Sequence, residues 1–170
     1  MQSGKLWFAF YLKSRSEKKV AQRLEEFHHE CFLPLVKTLK LWSDRKKWIW
    51  EPLIKSYIFV HTNPEQLYSI LQTDGVVKVV RFGGEPAPIP EEQILDLKKI
   101  IASGTEVTVT TESFECGEMV MVKSGVLKGM KGMLVQFKGK YRLMLEIDHF
   151  DSSVLVTVNA NNIIKLDQPS

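Results

Sequence analysis

The spacing of apolar residues changes near residue 105, and this change limits the folds open to the chain. Before it, segments of alternating apolar residues are interleaved with segments in which apolar residues recur every three or four positions. These two periods predict strands and helices within one domain. After it, strands of four to seven residues follow one another between glycines, and no helical period is found. The sequence therefore predicts an α+β domain at residues 5–104, a linker at 105–114 and an all-β domain at 115–167.

The first domain is predicted to be an antiparallel sheet flanked by helices. A capping box of Ser14 and Glu17 is expected to open its first helix. The threonine-rich segment after Gly104 has the composition of a linker. The order β-α-β-β-β-α-β-α is assigned to strands at 5–13, 30–42, 47–52, 56–62 and 76–82, and to helices after Ser14, after Asn63 and from Pro90 to Gly104.

The strand at 56–62 has two apolar sides. Tyr57 and Phe59 fall on one side, and Ile58 and Val60 fall on the other, because side chains alternate along a strand. Ile58 and Val60 can serve the core. The aromatic side is then either covered by helices or exposed as an interface, and the residues alone leave both interpretations open.

Positive charge is concentrated near the N-terminus. Residues 5–55 contain 12 Lys or Arg against 6 Asp or Glu, and the segment WSDRKKWIW at 42–50 adds three of the four tryptophans. Such a bias is typical of a surface that faces phosphates, and it is equally typical of an ordinary solvated surface.

The sequence contains no arrangement that indicates catalysis, a metal or a cofactor. His28, His29 and Cys31 lack the further ligand pair that a tetrahedral metal site needs. Asp148, His149 and Ser152 fall in a predicted connection with nothing to form an oxyanion hole. The two cysteines, Cys31 and Cys116, are far apart, and no apolar stretch is long enough for a membrane span. We therefore expect a cytoplasmic, non-enzymatic monomer without cofactors.

The second domain begins with the pattern G-E-x-V-x-V-x-x-G-x-x-K-G-x-x-G at residues 117–132. Together with the first domain, this pattern resembles the NusG family of transcription elongation and antitermination factors, which join an N-terminal NusG domain to an SH3-like KOW barrel. The resemblance extends to W-F-x-x-Y (7–11), R-S-E-K-K-V-A (15–21), F-L-P (32–34), W-S-D-R-K-K (42–47), E-P-L-x-x-x-Y-I-F-V (51–60), G-V (75–76) and F-G-G-x-P-A-P-I-P (82–90). One departure is Lys55-Ser56, where many members have Pro-Gly, and it favours a specialised paralogue of the RfaH-like or UpxY-like kind.

The resemblance implies that the first domain binds the clamp helices of RNA polymerase and suppresses pausing or termination. The matching positions are Trp7, Tyr11, Ile54, Tyr57, Phe59 and Phe82. Upstream or non-template DNA would face the basic residues Lys13, Arg15, Lys18, Lys19, Arg23, Arg45, Lys46 and Lys47.

The KOW domain would bind a second partner, the ribosomal protein NusE or the termination factor Rho. The side chains expected to contact it are Val126, Leu127 and Met130. A module that binds RNA or the ribosome without acting on polymerase remains the alternative, because KOW barrels also occur in ribosomal proteins.

Overall fold

The computed structural model describes residues 4–114 and 117–166, which form two compact units, Met1–Glu91 and Glu92–Ser170. Glu115, Cys116 and residue 167, which the predicted domain limits include, lie outside the described residues. The last helix of the predicted first domain falls in the second unit. Its Gln93 side chain exchanges two 2.9 Å hydrogen bonds with the carboxylate and backbone N–H of Asp148, which ties the start of the helix to that unit.

The first unit has an antiparallel sheet with helices, as predicted. The strands of this sheet lie in the order β2-β5-β1-β6, and β9 pairs with β1. β3 pairs with β4 as a separate hairpin, and β7 pairs with β8. The elements are β1 (Leu6–Leu12), α1 (Glu17–Glu26), β2 (Glu30–Phe32), β3 (Leu35–Leu41), β4 (Lys46–Pro52), β5 (Tyr57–Thr62), a 3-10 turn (Pro64–Gln66), α2 (Leu67–Leu71), β6 (Val76–Val79), β7 (Arg81–Phe82), β8 (Glu85–Pro86) and β9 (Pro88–Ile89).

The core of the first unit uses one face of this sheet. Ile58 and Val60 pack there with alternate residues of β1, with Val20 and Leu24 of α1, and with Leu67 and Ile70 of α2. Burying these apolar side chains supplies the main driving force for folding of the unit. The prediction that Ile58 and Val60 serve the core is confirmed, so the opposite face carries Tyr57 and Phe59.

The capping box predicted for Ser14 and Glu17 is wrong. Helix α1 begins at Glu17 after Ser16, and no side chain caps it. The buried Glu17 side chain instead accepts a 3.0 Å hydrogen bond from the backbone N–H of Ser56, in the connection before β5. Ser56 has a φ of +65°, a left-handed conformation that suits glycine, and its carbonyl accepts from the Leu12 N–H at 2.8 Å. A serine therefore occupies a conformation that suits glycine, and its backbone is held there by the hydrogen bond to Glu17.

The second unit contains α3 (Glu91–Ser103, with its first residue in the first unit) and is otherwise built of strands. A six-stranded antiparallel sheet has the order β10-β14-β13-β12-β11-β15, so the predicted all-β class is confirmed. No helix within the described ranges is both long and apolar enough to cross a membrane. The strands are β10 (Val107–Thr110), β11 (Glu118–Val122), β12 (Lys131–Phe137), β13 (Lys140–Glu146), β14 (Ser153–Thr157) and β15 (Ile163–Lys165), with a 3-10 turn at Ala160–Asn162.

The predicted linker at 105–114 is wrong for its central residues, because Val107–Thr110 forms β10 along β14. Its alternating valine and threonine residues favour a strand, and the edge of β14 offers backbone partners. Glu106 strengthens this attachment. Its carboxylate lies 3.2 Å from Lys140 Nζ and 3.5 Å from Arg142 Nη2, both on β13.

Candidate interaction surfaces

The sheet of the first unit has a second face, which we call the aromatic face: Trp7, Tyr11, Tyr57 and Phe59. Strands β1 and β5 bring these side chains together, because Tyr11 lies opposite Tyr57 and Phe59 lies opposite Ala9. The rings of Tyr11 and Tyr57 meet edge to face with centroids 5.4 Å apart. Lys78 Nζ lies 5.6 Å from the Tyr11 ring centroid and adds a cation at this end of the face.

Only part of the aromatic face is open to solvent. Tyr11 is exposed and Tyr57 is half-buried, whereas Trp7 and Phe59 are buried. Of these four predicted contacts, only Tyr11 and Tyr57 are therefore accessible in this conformation. Within the first unit, Trp7 stacks on the His61 ring at 4.8 Å, and Phe59 stacks on Phe32 at 6.2 Å. Rings on neighbouring strands thus cover part of Trp7 and Phe59. The alternation of side chains along a single strand does not predict this cover.

Two further predicted polymerase contacts lie outside these two strands. Ile54 is buried in the connection between β4 and β5. Phe82 is 71% exposed and lies at the end of β7, where Gly83 and Gly84 form the two-residue turn to β8. Positive φ angles at both glycines, +62° and +85°, are those of the tight hairpin turn that favours glycine.

The β3–β4 hairpin exposes tryptophans on one face. By its register, Lys37 lies opposite Trp50, Leu39 opposite Trp48 and Leu41 opposite Lys46. We call this set of six residues the tryptophan face. Its four apolar members are exposed, with Trp48 at 57% and Trp50 at 54%. Lys37, Leu39 and Leu41 were not among the predicted site residues, although the alternation in LVKTLKL places them on one side of β3.

The other hairpin face holds its acidic residue in place. Glu51 forms an ion pair with Lys40 at 3.3 Å. A hydrogen bond from Thr38, and to a smaller extent one from Lys40, lowers the pKa of the Glu51 carboxyl. In the turn, the Arg45 guanidinium lies 5.1 Å from the Trp42 ring centroid. The carboxylate of Glu51 is therefore engaged away from the tryptophan face.

The predicted DNA-binding residues differ in whether their side chains already contact other groups of the protein. Lys13 and Arg23 pair with Asp74 at 3.9 and 3.6 Å, so part of their charge is already balanced. Lys18 Nζ donates a 2.6 Å hydrogen bond to the Trp50 carbonyl, which links α1 to the hairpin. The remaining five, Arg15, Lys19, Arg45, Lys46 and Lys47, are exposed, and no ion pair holds them among residues 4–114 and 117–166.

In the second unit, only one of the three predicted partner contacts is exposed. Val126 is 73% exposed, whereas Leu127 and Met130 are buried, so only Val126 is accessible to a partner in this conformation. The loop folds back on its own strand, because Gly129 N–H donates to the Val122 carbonyl at 2.7 Å. Leu127 thereby turns into the unit, beside a cavity of about 150 Å³ that Val126 also lines.

The surroundings of Cys31 and Glu106 also shift the pKa values of these two groups. Burial, and then the charge of Glu25, raises the pKa of the Cys31 thiol to about 11. The hydrogen bond from Lys140 lowers the pKa of Glu106. No group of three or more His, Cys, Asp or Glu side chains in the described part of the chain is arranged to hold a metal ion.

By fold, the chain belongs to a class of two-unit proteins in which an α+β unit with an antiparallel sheet precedes a unit built on a six-stranded antiparallel sheet. Residues 5–98 match the family described as transcription termination factor NusG. This match covers more than half of the 170 residues, so the chain belongs to the NusG family of transcription termination and antitermination factors.

Curated relatives and a solved structure agree with this assignment. The transcription termination/antitermination proteins NusG of Chlamydia trachomatis and Chlamydia muridarum are each 23% identical over 155 residues, covering 83% of this chain and 85% of the relative. A structure of Thermotoga maritima NusG aligns with a TM-score of 0.58 at 18% identity, covering 96% of this chain and 98% of that one. That structural similarity supports the fold.

Proposed function

We propose that this chain is a transcription elongation or antitermination factor that binds RNA polymerase through the aromatic face and suppresses pausing or termination. The observation that carries the proposal is the difference between the two faces of the sheet. One face packs against α1 and α2, and the opposite face carries four aromatic residues, of which Tyr11 and Tyr57 keep surface open to solvent. Tyrosine and tryptophan are common anchors of protein interfaces.

Tyr11 and Tyr57 are the proposed direct contacts with the polymerase clamp helices, because they form the accessible end of the aromatic face. Phe82 would add a separate exposed contact from the β7–β8 turn. Trp7, Ile54 and Phe59 are buried, so in this conformation they would support the backbone beneath the contacts.

The proposed mechanism is a shift in the population of polymerase conformations. Pausing and termination need the clamp to move, and a protein that binds better when the clamp is closed stabilises the closed state by its differential affinity. Such an effect needs no catalytic residue in this chain. We place this activity in the cytoplasm, with the chain acting as a monomer.

Two further contacts belong to the proposal. Exposed basic residues of α1, of the segment just before it and of the hairpin would attract the phosphates of upstream or non-template DNA, with Arg15, Lys19 and Lys46 more available than Lys13 and Arg23. The second unit would bind NusE or Rho around Val126. Because both units are in one chain, binding of the first raises the effective concentration of the second near its partner.

The test is binding of the full chain to bacterial RNA polymerase core. We expect Tyr11→Ala/Tyr57→Ala to weaken binding by about thirtyfold, as removal of interface anchors does. Tyr68→Ala is the matched control, because Tyr68 is an exposed tyrosine on α2, which packs on the core face. Equal binding by the double variant and wild type would contradict the proposal. If the chain ignored polymerase but bound RNA with a steep salt dependence, the RNA- or ribosome-binding alternative would replace it.

A further inference from the structure

A lysine borders the accessible end of the aromatic face. Lys78 of β6 lies opposite Tyr11 of β1 in the register, and Lys78 is exposed. We propose that Lys78 belongs to the polymerase site and binds the carboxylate of an acidic residue on the clamp helices, beside the apolar contact made by Tyr11 and Tyr57. The inference deepens the proposed function and rests on it, because it names the chemistry that the partner surface must offer.

The contact with Tyr11 holds the Lys78 ammonium group beside the two tyrosines. Its Nζ lies 5.6 Å from the Tyr11 ring centroid, within the distance of about 6 Å at which a ring attracts a cation. The Tyr57 ring meets the Tyr11 ring with centroids 5.4 Å apart. Because one ring covers only one side of an ammonium group, other N–H donors of Lys78 stay open to a partner. A partner that touches both tyrosines therefore comes within reach of this charge.

The charge of Lys78 is not balanced by an acid of this chain. No ion pair holds its Nζ among residues 4–114 and 117–166. The acid nearest to it in sequence, Asp74, is shared by Lys13 and Arg23 at 3.9 and 3.6 Å. The accessible end of the aromatic face therefore offers an uncompensated positive charge, which complements an acidic partner.

The surroundings of Lys78 favour a protein carboxylate over a nucleic-acid phosphate. The Tyr11 and Tyr57 rings are inclined at 61°, so one flat base cannot stack on both. An aromatic patch with a charge at its border has the composition of a protein interface, with an apolar centre and a polar rim. A helix surface that presents apolar side chains beside an Asp or Glu would satisfy the tyrosines and the lysine together.

A charge at the rim of an interface acts mainly on association. Attraction between Lys78 and an acidic partner accelerates association at low salt, whereas loss of a central anchor mainly accelerates dissociation. Added salt removes the attraction, because it shortens the Debye length from about 10 Å at 0.1 M to about 3 Å at 1 M. The inference thus predicts a salt-dependent effect for Lys78 and a much weaker salt dependence for the two tyrosines.

The experiment measures association and dissociation rates of the full chain on immobilised bacterial RNA polymerase core at low and at high salt. The core enzyme carries no nucleic acid, so a changed rate cannot come from a phosphate contact. We expect Lys78→Glu to slow association about tenfold at low salt, because repulsion replaces attraction. Lys78→Met keeps the length of the side chain without its charge and should slow association about threefold. Lys78→Arg keeps the charge and should associate like wild type.

Lys5→Glu is the matched control. Lys5 is an exposed residue directly before β1 and lies about 20 Å along the strand from Tyr11. This variant makes the same change in net charge far from the accessible end of the aromatic face, and its association rate should stay within about twofold of wild type. Circular dichroism checks that each variant is folded.

The inference is overturned if Lys78→Glu associates like wild type, if Lys78→Arg is as slow as Lys78→Met, if Lys5→Glu is slowed as much as Lys78→Glu, or if high salt leaves the Lys78 effect unchanged. The Tyr11→Ala/Tyr57→Ala variant separates the two proposals. If polymerase core binds wild type but not this variant, and Lys78→Glu behaves like wild type, only the inference on Lys78 fails. If polymerase core does not bind wild type, the proposed function fails and the inference fails with it.

Discussion

The contact between Glu17 and Ser56 makes a specific prediction about stability. Glu17→Ala removes the acceptor for the Ser56 N–H, and a hydrogen bond to a charged group contributes about 1.5–3 kcal/mol. We therefore expect the free energy of unfolding of the first unit to fall by about 2 kcal/mol. With a urea dependence of about 2 kcal/mol per molar, the unfolding midpoint would fall by about 1 M. Glu17→Gln keeps an oxygen acceptor and should lose less.

Ser56→Gly should act in the opposite direction. A left-handed conformation costs a residue with a Cβ about 1–2 kcal/mol, and glycine loses about 0.5–1 kcal/mol through its greater freedom in the unfolded chain. The difference predicts a gain of about 0.5–1 kcal/mol.

Urea unfolding followed by tryptophan fluorescence is the appropriate assay, because all four tryptophans lie within residues 1–91 and report on the first unit. Glu25→Ala, which removes an exposed glutamate from the same helix, should change the midpoint little. The reasoning is refuted if Glu17→Ala behaves like Glu25→Ala, or if Ser56→Gly lowers the midpoint.

Three other predictions follow from the two units. In a variant lacking the other cysteine, the Cys31 thiol should react about 100-fold more slowly with a thiol reagent at pH 8 than after unfolding, because its raised pKa leaves little thiolate. Lys140 lowers the folded pKa of Glu106, so Glu106 stabilises the protein above its ordinary pKa of 4.5, and this contribution is lost as the pH falls through the lower folded value. The difference in melting temperature between wild type and Glu106→Gln should accordingly shrink on acidification, and a constant difference would contradict this account. Gly132→Ala should destabilise the second unit by about 1–3 kcal/mol in circular dichroism melts, because its Cβ would lie 2.7 Å from the Met144 carbonyl oxygen.

The faces of the central strands could be predicted from the sequence because alternation along a strand depends only on local order. Ile58 and Val60 therefore fall in the core, and Tyr57 and Phe59 fall opposite. Alternation does not specify what covers each face. For this reason the burial of Phe59 could not be predicted, since it depends partly on Phe32 in another strand.

Long-range contacts explain the incorrect local predictions. The S-x-x-E spacing of Ser14 and Glu17 fits a capping box, but Ser56 lies 39 residues from Glu17 and provides a donor that the pattern does not reveal. The polar composition of residues 105–114 fits a linker, but β14 provides a backbone edge for Val107–Thr110. In both cases the competing partner is distant in sequence.

The proposal that this chain acts on an elongating polymerase is tested most directly by single-round transcription through a pause site and a terminator. Bacterial RNA polymerase is supplied with wild-type protein, the Tyr11→Ala/Tyr57→Ala variant or the Tyr68→Ala control. We predict shorter pauses and more readthrough with wild type and Tyr68→Ala, and no effect with the double variant. Pausing and termination unchanged by saturating wild-type protein, or altered equally by the double variant, would contradict the account.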